Sequence, residues 1–152
     1  METSIRRGEA RTQLSLEGDL TEHFDLTKLL PELDGAIEVD LSGVRRINSA
    51  GVRQWIRFMS ALGEGRDVVL VRCPASFIWQ ASMISNFLGR ATVGSFYAPY
   101  LCPGCEAARS VLVEVGSLDR GAPALPEARC EACAVAMEAD VVPEVFLGFL
   151  GA

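Results

Sequence analysis

The sequence is poor in the residues from which most enzyme active sites are built. It has one histidine, His23, among 152 residues, and no convincing glycine-rich phosphate loop. No catalytic constellation therefore stands out. Thirteen of its fourteen basic residues are arginine and only Lys28 is lysine, which carries no functional reading. No apolar run approaches the roughly 18–20 residues needed to cross a membrane. The first residues include Glu2, Arg6, Arg7 and Glu9 and lack the pattern of a signal peptide. The expected location is the cytoplasm, with no membrane partner. Internal repeats and low-complexity segments are also missing.

What is present is enough apolar material, 49% of residues, for one good core or one domain with a small module. The net charge of −6 is unevenly spread. Residues 1–100 carry 11 basic and 12 acidic side chains, a net of −1, whereas residues 101–152 carry 3 and 8, a net of −5. Binding to phosphodiesters rests on Lys and Arg, so an acidic second part argues against a nucleic-acid partner.

Residues 5–16 read as a hairpin turning at Gly8-Glu9, and Gly18-Asp19 breaks its second strand. Thr21 or Asp25 can cap a first helix with the stripe Leu26, Leu29, Leu30 and Leu33, which Pro31 would kink or shorten. Residues 36–41 alternate as a strand. Val52, Trp55, Ile56, Met59 and Leu62 then recur at helical spacing, so a second helix is expected over 50–62. Asn48 and Ser49 stand at its start, and both are good N-cap residues. The continuous run Val68-Val69-Leu70-Val71 reads as a strand covered on both faces. Ser76 can cap a third helix containing Phe77, Ile78, Ala81, Ile84, Phe87 and Leu88, and a last strand is expected over 92–97. The order β-β-α-β-α-β-α-β implies neighbouring parallel strands with helices packed on a face. After residue 97 cysteines, prolines and acids replace this rhythm. Strands are expected over 110–115 and 134–137, around a Gly/Pro-rich loop, and the tail at 145–150 is apolar.

Residues 3–97 resemble a STAS domain, the fold of bacterial anti-sigma factor antagonists. The likeness rests on Leu16-Glu17-Gly18-Asp19-Leu20-Thr21 before the first helix. It rests more on Asp40-Leu41-Ser42-Gly43-Val44 followed by Ile47-Asn48-Ser49-Ala50-Gly51-Val52. Asn48 stands where that family usually has Asp, and Ala50 where it has a second Ser. The resemblance implies an α/β fold with a mixed sheet. It also implies a protein partner of the serine kinase and anti-sigma factor kind, and a phospho-acceptor role for Ser49. The bland alternative is that Ser49 only caps the helix. Arg45, Arg46, Arg53 and Arg57, with Asn48, are the candidate partner-binding residues; Arg53 and Arg57 share a helical face. Their alternative is a solvated polar surface.

Cys102-x-x-Cys105 and Cys130-x-x-Cys133, 24 residues apart, are the sharper signal. Each pair can place two thiolates on one side of a metal, and four thiolates make a closed, structural zinc site of one ion per chain. This part looks like a small zinc-ribbon-like β module over residues 98–142. The alternative is redox chemistry at Cys102-Pro103-Gly104-Cys105, which leaves the second pair idle. Cys73 is expected to be a small buried apolar residue. Residues 143–152 are expected to dock on the body rather than bind a partner.

The reading that results is a non-enzymatic regulatory or adaptor protein of the anti-sigma factor antagonist type. Its alternatives are a constitutive scaffold or assembly subunit without a phosphoswitch and, third, a thiol-disulfide oxidoreductase. Self-association is left open.

Overall fold

The computed structural model describes residues 1–151. Strands β1 (Glu2–Arg7) and β2 (Thr12–Leu20) form the expected antiparallel hairpin, with Arg7 opposite Thr12 and Glu2 opposite Glu17. Gly18-Asp19 does not break β2: the strand runs on to Leu20, and the glycine marks only an irregularity in its register. The Gly8 N–H closes the turn onto the Arg11 carbonyl at 2.9 Å. Strand β3 (Ile37–Ile47) lies parallel to β2, β4 (Val68–Val71) parallel to β3, and the short β5 (Thr92–Val93) parallel to β4. The result is a mixed five-stranded sheet in the order β1-β2-β3-β4-β5.

The period-2 pattern decides which face of this sheet is covered. Leu14, Leu16, Ile37, Val39, Leu41, Val68 and Leu70 all point to one side and are buried there. Helices α1 (Ser49–Leu62) and α2 (Ala75–Met83) supply the opposing layer. From α1 come Trp55, Phe58, Met59 and Leu62, and from α2 Phe77, Ile78 and Ala81. Trp55 is the centre of this layer. Its ring meets Phe77 edge-on at 4.9 Å between centroids, and its Nε1–H donates to the Phe87 carbonyl at 3.0 Å. Burying each such side chain contributes about 1.5–3 kcal/mol. The other side of the sheet is open and polar, carrying Ser4, Arg6, Gln13, Ser15, Glu38, Asp40 and Arg72. Residues 68–71 are therefore covered on one face only. Val69 and Val71 are half-buried on the open side, because both helices cross over the same face.

Two helices differ from expectation. Leu26–Glu32 is a 3-10 helix that contains Pro31, whose ring and missing N–H oppose α-helical hydrogen bonding. Its cap is Asp25, which accepts from the Thr27 N–H. Helix α2 stops at Met83, where Ile84 turns extended, rather than running to Leu88. It starts after Pro74, without a side-chain cap from Ser76. Residues 84–91 continue as turns, yet Phe87 is fully buried. The apolar spacing there reports the core's need for side chains, not a helix.

Strand β6 (Ser95–Leu101) follows β5 directly and links the two parts of the chain. The Cys73 N–H donates to the Ser95 carbonyl and the Tyr97 N–H to the Cys73 carbonyl, so β6 starts alongside the end of β4. It then becomes the middle of a second, antiparallel sheet in the order β7-β6-β8, with β7 (Ala108–Glu114) and β8 (Glu138–Ala139). The expected boundary at 97/98 falls inside this strand. The strand expected over 134–137 contributes only a bridge, Ala136 to Arg129, and the ladder forms just after it.

The tail forms a helical turn, α3 (Pro143–Phe146), and a 3-10 turn, Leu147–Gly151. Phe146 packs on Trp79 and Phe96, and Phe149 on Phe96. The Ser82 hydroxyl donates to the Phe146 carbonyl at 2.8 Å and accepts from the Phe149 N–H at 3.3 Å. Among the described residues no helix is long and apolar enough to cross a membrane.

Candidate functional site

At the junction of β3 and α1 the backbone is fixed from two directions. Asn48 is the N-cap: its Oδ1 accepts from the Gly51 N–H at 2.8 Å, and its Nδ2 donates to Glu22 Oε2 at 2.9 Å. That hydrogen bond is the main reason the Glu22 carboxyl lies below its ordinary value. The Asn48 N–H reaches the Leu20 carbonyl at 3.3 Å. Gly51 sits directly over that carbonyl, and a Cβ there would stand 1.9 Å from the Leu20 oxygen. The helix can approach the end of β2 this closely only because position 51 has no side chain.

Ser49 is the first residue of α1 and is exposed, as is Asn48. Since Asn48 makes the cap, the Ser49 hydroxyl is not needed for it. Arg45 and Arg46 lie just before, and both face Asp19, at 3.7 Å and 2.9 Å. The Arg46 hydrogen bond leads the causes that lower the Asp19 carboxyl. Arg53 and Arg57 are exposed on α1 and form no ion pair among the described residues. A shallow depression lined by Thr21, Arg45, Arg46, Asn48 and Ser76 lies at the junction, and another holds Arg57 with Glu22 and Asp25. Arg45 and Arg46 are thus engaged with Asp19, whereas Arg53 and Arg57 are exposed without an ion pair among the described residues, although Arg57 lies near Glu22 and Asp25.

Arg72 gave no signal in the sequence. It ion-pairs with Asp40 across the neighbouring parallel strands β3 and β4, its Nε 3.1 Å from Asp40 Oδ1. Burial raises the Asp40 carboxyl, but Arg72 and the Ser42 N–H outweigh it and hold the group below its ordinary value. Arg72 adopts φ 51°, in the left-handed region, with its N–H on the Ser95 hydroxyl at 2.8 Å. A spacing of 32 residues and an unusual backbone state leave no local pattern to read.

The four paired cysteines converge at one point. Their sulfurs all lie within 4.8 Å of one another, with Cys102 to Cys133 at 3.4 Å and Cys105 to Cys130 at 3.6 Å. Four thiolates about 2.3 Å from a common tetrahedral metal stand roughly 3.8 Å apart, so the cluster is of the right size to hold one ion. The two halves are built alike. The Cys102 N–H donates to the Ala107 carbonyl and the Glu106 N–H to the Cys102 carbonyl. The Cys130 N–H donates to the Val135 carbonyl and the Ala134 N–H to the Cys130 carbonyl. In each half the residue after the second cysteine, Glu106 or Ala134, sits at φ 62°. These two turns aim backbone N–H groups at sulfur. The Cys105 and Gly104 N–H groups help to bring Cys102 down to about 6, and those of Cys133 and Ala132 lower Cys130. The Ala107 N–H also favours the Cys105 thiolate, but the neighbouring sulfurs and burial leave that group raised. At Cys133 the Val135 N–H favours the thiolate, yet Cys102, burial and the other sulfurs push it up to about 12. Four thiolates so close repel one another, and a cation is what lets all four deprotonate together.

Cys102 and Cys130 are buried, while Cys105 and Cys133 are exposed. Arg129 steadies the second turn by donating to the Ala134 carbonyl at 3.1 Å, and Arg109 faces Glu131 at 3.5 Å. Cys73 stands apart and buried, its thiol pushed up by burial. The chain matches no protein-family model, and no curated protein resembles it closely enough in sequence to count as a match.

Proposed function

We propose that this chain is a non-enzymatic regulatory or adaptor protein built on a STAS-like domain. It presents Ser49, the outer face of α1 and the neighbouring arginines to a protein partner of the serine kinase or anti-sigma factor kind. The observation that carries the reading is the division of labour at the β3–α1 junction. Asn48 makes the cap, and Ser49 is left exposed at the positive end of a 14-residue helix. Phosphorylation there adds roughly 1.5–2 negative charges. Those charges would be added next to Asn48, whose amide already holds Glu22, and would alter the surface offered to a partner.

The cysteine cluster is read as a structural zinc site in a ribbon-like module, with Cys102, Cys105, Cys130 and Cys133 as its four ligands. All-sulfur, tetrahedral donor sets suit zinc. The shortest sulfur contacts run between the two C-x-x-C turns and not within them. That supports a shared metal over a thiol-disulfide oxidoreductase working at Cys102 and Cys105.

A second reading, a constitutive scaffold without a phosphoswitch, is favoured by Asn48 itself. Both ends of its amide are engaged, so the usual Asp of the resembled family is replaced by a group with a structural task. Mass spectrometry of the protein purified from its own host separates the two. A phosphate on the peptide containing Ser49 supports the switch, and its absence across growth conditions supports the scaffold.

A further inference from the structure

We infer that the chain forms a two-fold homodimer in which β1 pairs antiparallel with β1 of a second copy, with Ser4 on the axis. Among the described residues β1, the outer strand of its sheet, pairs only with β2, so one side of its backbone has no ladder partner there. It is six residues long and contains no proline, so every backbone N–H on its open side can donate. Charged side chains such as Glu2, Arg6 and Arg7 guard an edge against strands that do not match them. What it carries is charge of both signs, and the placement is self-complementary. Glu2, Ser4 and Arg6 stand opposite Glu17, Ser15 and Gln13 and point to the open face, whereas Thr3 and Ile5 stand opposite Leu16 and Leu14 on the covered face.

A two-fold axis perpendicular to the sheet keeps the helices of both copies on one side, so the axis must pass through a residue rather than between two. With Ser4 on the axis, Glu2 of each copy lies directly across from Arg6 of the other, on the open face, and Thr3 lies across from Ile5 on the covered one. Moving the axis to Ile5 sets Arg6 against Ser4 and Arg7 against Thr3, with no acid opposite either. Moving it to Thr3 leaves both arginines outside the ladder. Only the Ser4 register pairs the charges, and among the described residues neither Glu2 nor Arg6 has an ion-pair partner within its own copy. The product is a continuous ten-stranded sheet whose two β3 strands stand roughly 24 Å apart at ordinary strand spacing. Both Ser49-bearing helices lie on the same side of it.

The test is sedimentation equilibrium on the full chain, in the wild type, Glu2→Arg, Arg6→Glu and the double variant. Both exchanged positions are on the surface, and circular dichroism checks that each of the three variants folds. The expected wild-type mass is twice the 16.4 kDa of one chain. Each single exchange sets two like-charge pairs across the axis and should raise the dissociation constant about tenfold or more. The double exchange restores opposite charges and should recover most of the loss. A monomeric wild type overturns the inference. So does a dimer that is insensitive to the single exchanges, or a double variant no tighter than either single one.

Discussion

Asn48 holds Glu22 with one end of its amide and the Gly51 N–H with the other, which ties the start of α1 to the segment after β2. Replacing Asn48 by Ala removes both contacts and should cost about 1 kcal/mol from the lost cap. The pH dependence gives a second readout. Because the folded Glu22 carboxyl lies below its ordinary value of 4.5, its contribution is present above that value. It is lost as the pH falls through the folded value. Denaturant unfolding across pH 3–7 should show part of the wild type's acid-side decline missing in Asn48→Ala.

Gly51 is the least replaceable residue of the junction. An added Cβ would meet backbone, the Leu20 carbonyl, and not a side chain that could swing away. Gly51→Ala should destabilise by more than about 3 kcal/mol. Among the described residues a Cβ at Gly116 meets nothing within 4 Å beyond its chain neighbours, and Gly116→Ala should stay within about 0.5 kcal/mol of wild type. The difference in denaturation midpoints tests the close approach of helix and strand.

The metal reading predicts close to one zinc per chain in protein purified without chelator, and loss of that zinc on Cys105→Ser. Binding must displace protons from the raised thiols of Cys105 and Cys133. Metal retention against a fixed chelator should therefore weaken steadily as pH falls. Elemental analysis after dialysis at a series of pH values measures both effects.

Glu106 and Ala134 occupy matching left-handed positions at which an L side chain is strained and glycine is not. Glycine also loosens the unfolded chain, so the two effects partly offset. Ala134→Gly should leave stability unchanged or raise it by up to about 1 kcal/mol, while Ala134→Val should lower it. Thermal melts of the metal-loaded protein distinguish these outcomes.

The tail is a structural part of the body. Phe146 is fully buried between Trp79 and Phe96, and Phe146→Ala should cost about 3–5 kcal/mol. Removing residues 143–152 should lower the melting temperature at least as far. An unchanged melting temperature would be incompatible with this packing.

The parts of the fold that could be read from the sequence are those where one periodicity meets one burial demand. Val52, Trp55, Met59 and Leu62 announce α1, and Leu14, Leu16, Val39 and Leu41 announce their strands. An apolar residue that serves the core from a turn, as Phe87 does, keeps helical spacing without a helix, so the spacing runs on to Leu88 although α2 ends at Met83. An apolar run also carries no mark of which face is left open, as at Val69 and Val71. The spacing of the cysteines pointed to a metal before any geometry. Which sulfurs approach most closely depends on how β6 and β7 bring the two turns together, and no local pattern encodes that. Between two good caps, Asn48 and Ser49, the choice was settled by Glu22, 26 residues away. The Asp40–Arg72 pair was hidden for the same reason, since its partners meet only across two strands.

The central claim is that the Ser49 surface engages a partner and that a charge at Ser49 ends the engagement. Affinity capture from the native host's lysate, with wild type, Ser49→Ala and Ser49→Asp as baits, tests it most directly. The account predicts that wild type and Ser49→Ala retain a kinase-like or sigma-regulating protein and that Ser49→Asp alone loses it. Recovery of the same partners by all three would contradict it and leave Ser49 as an exposed residue on a fixed platform.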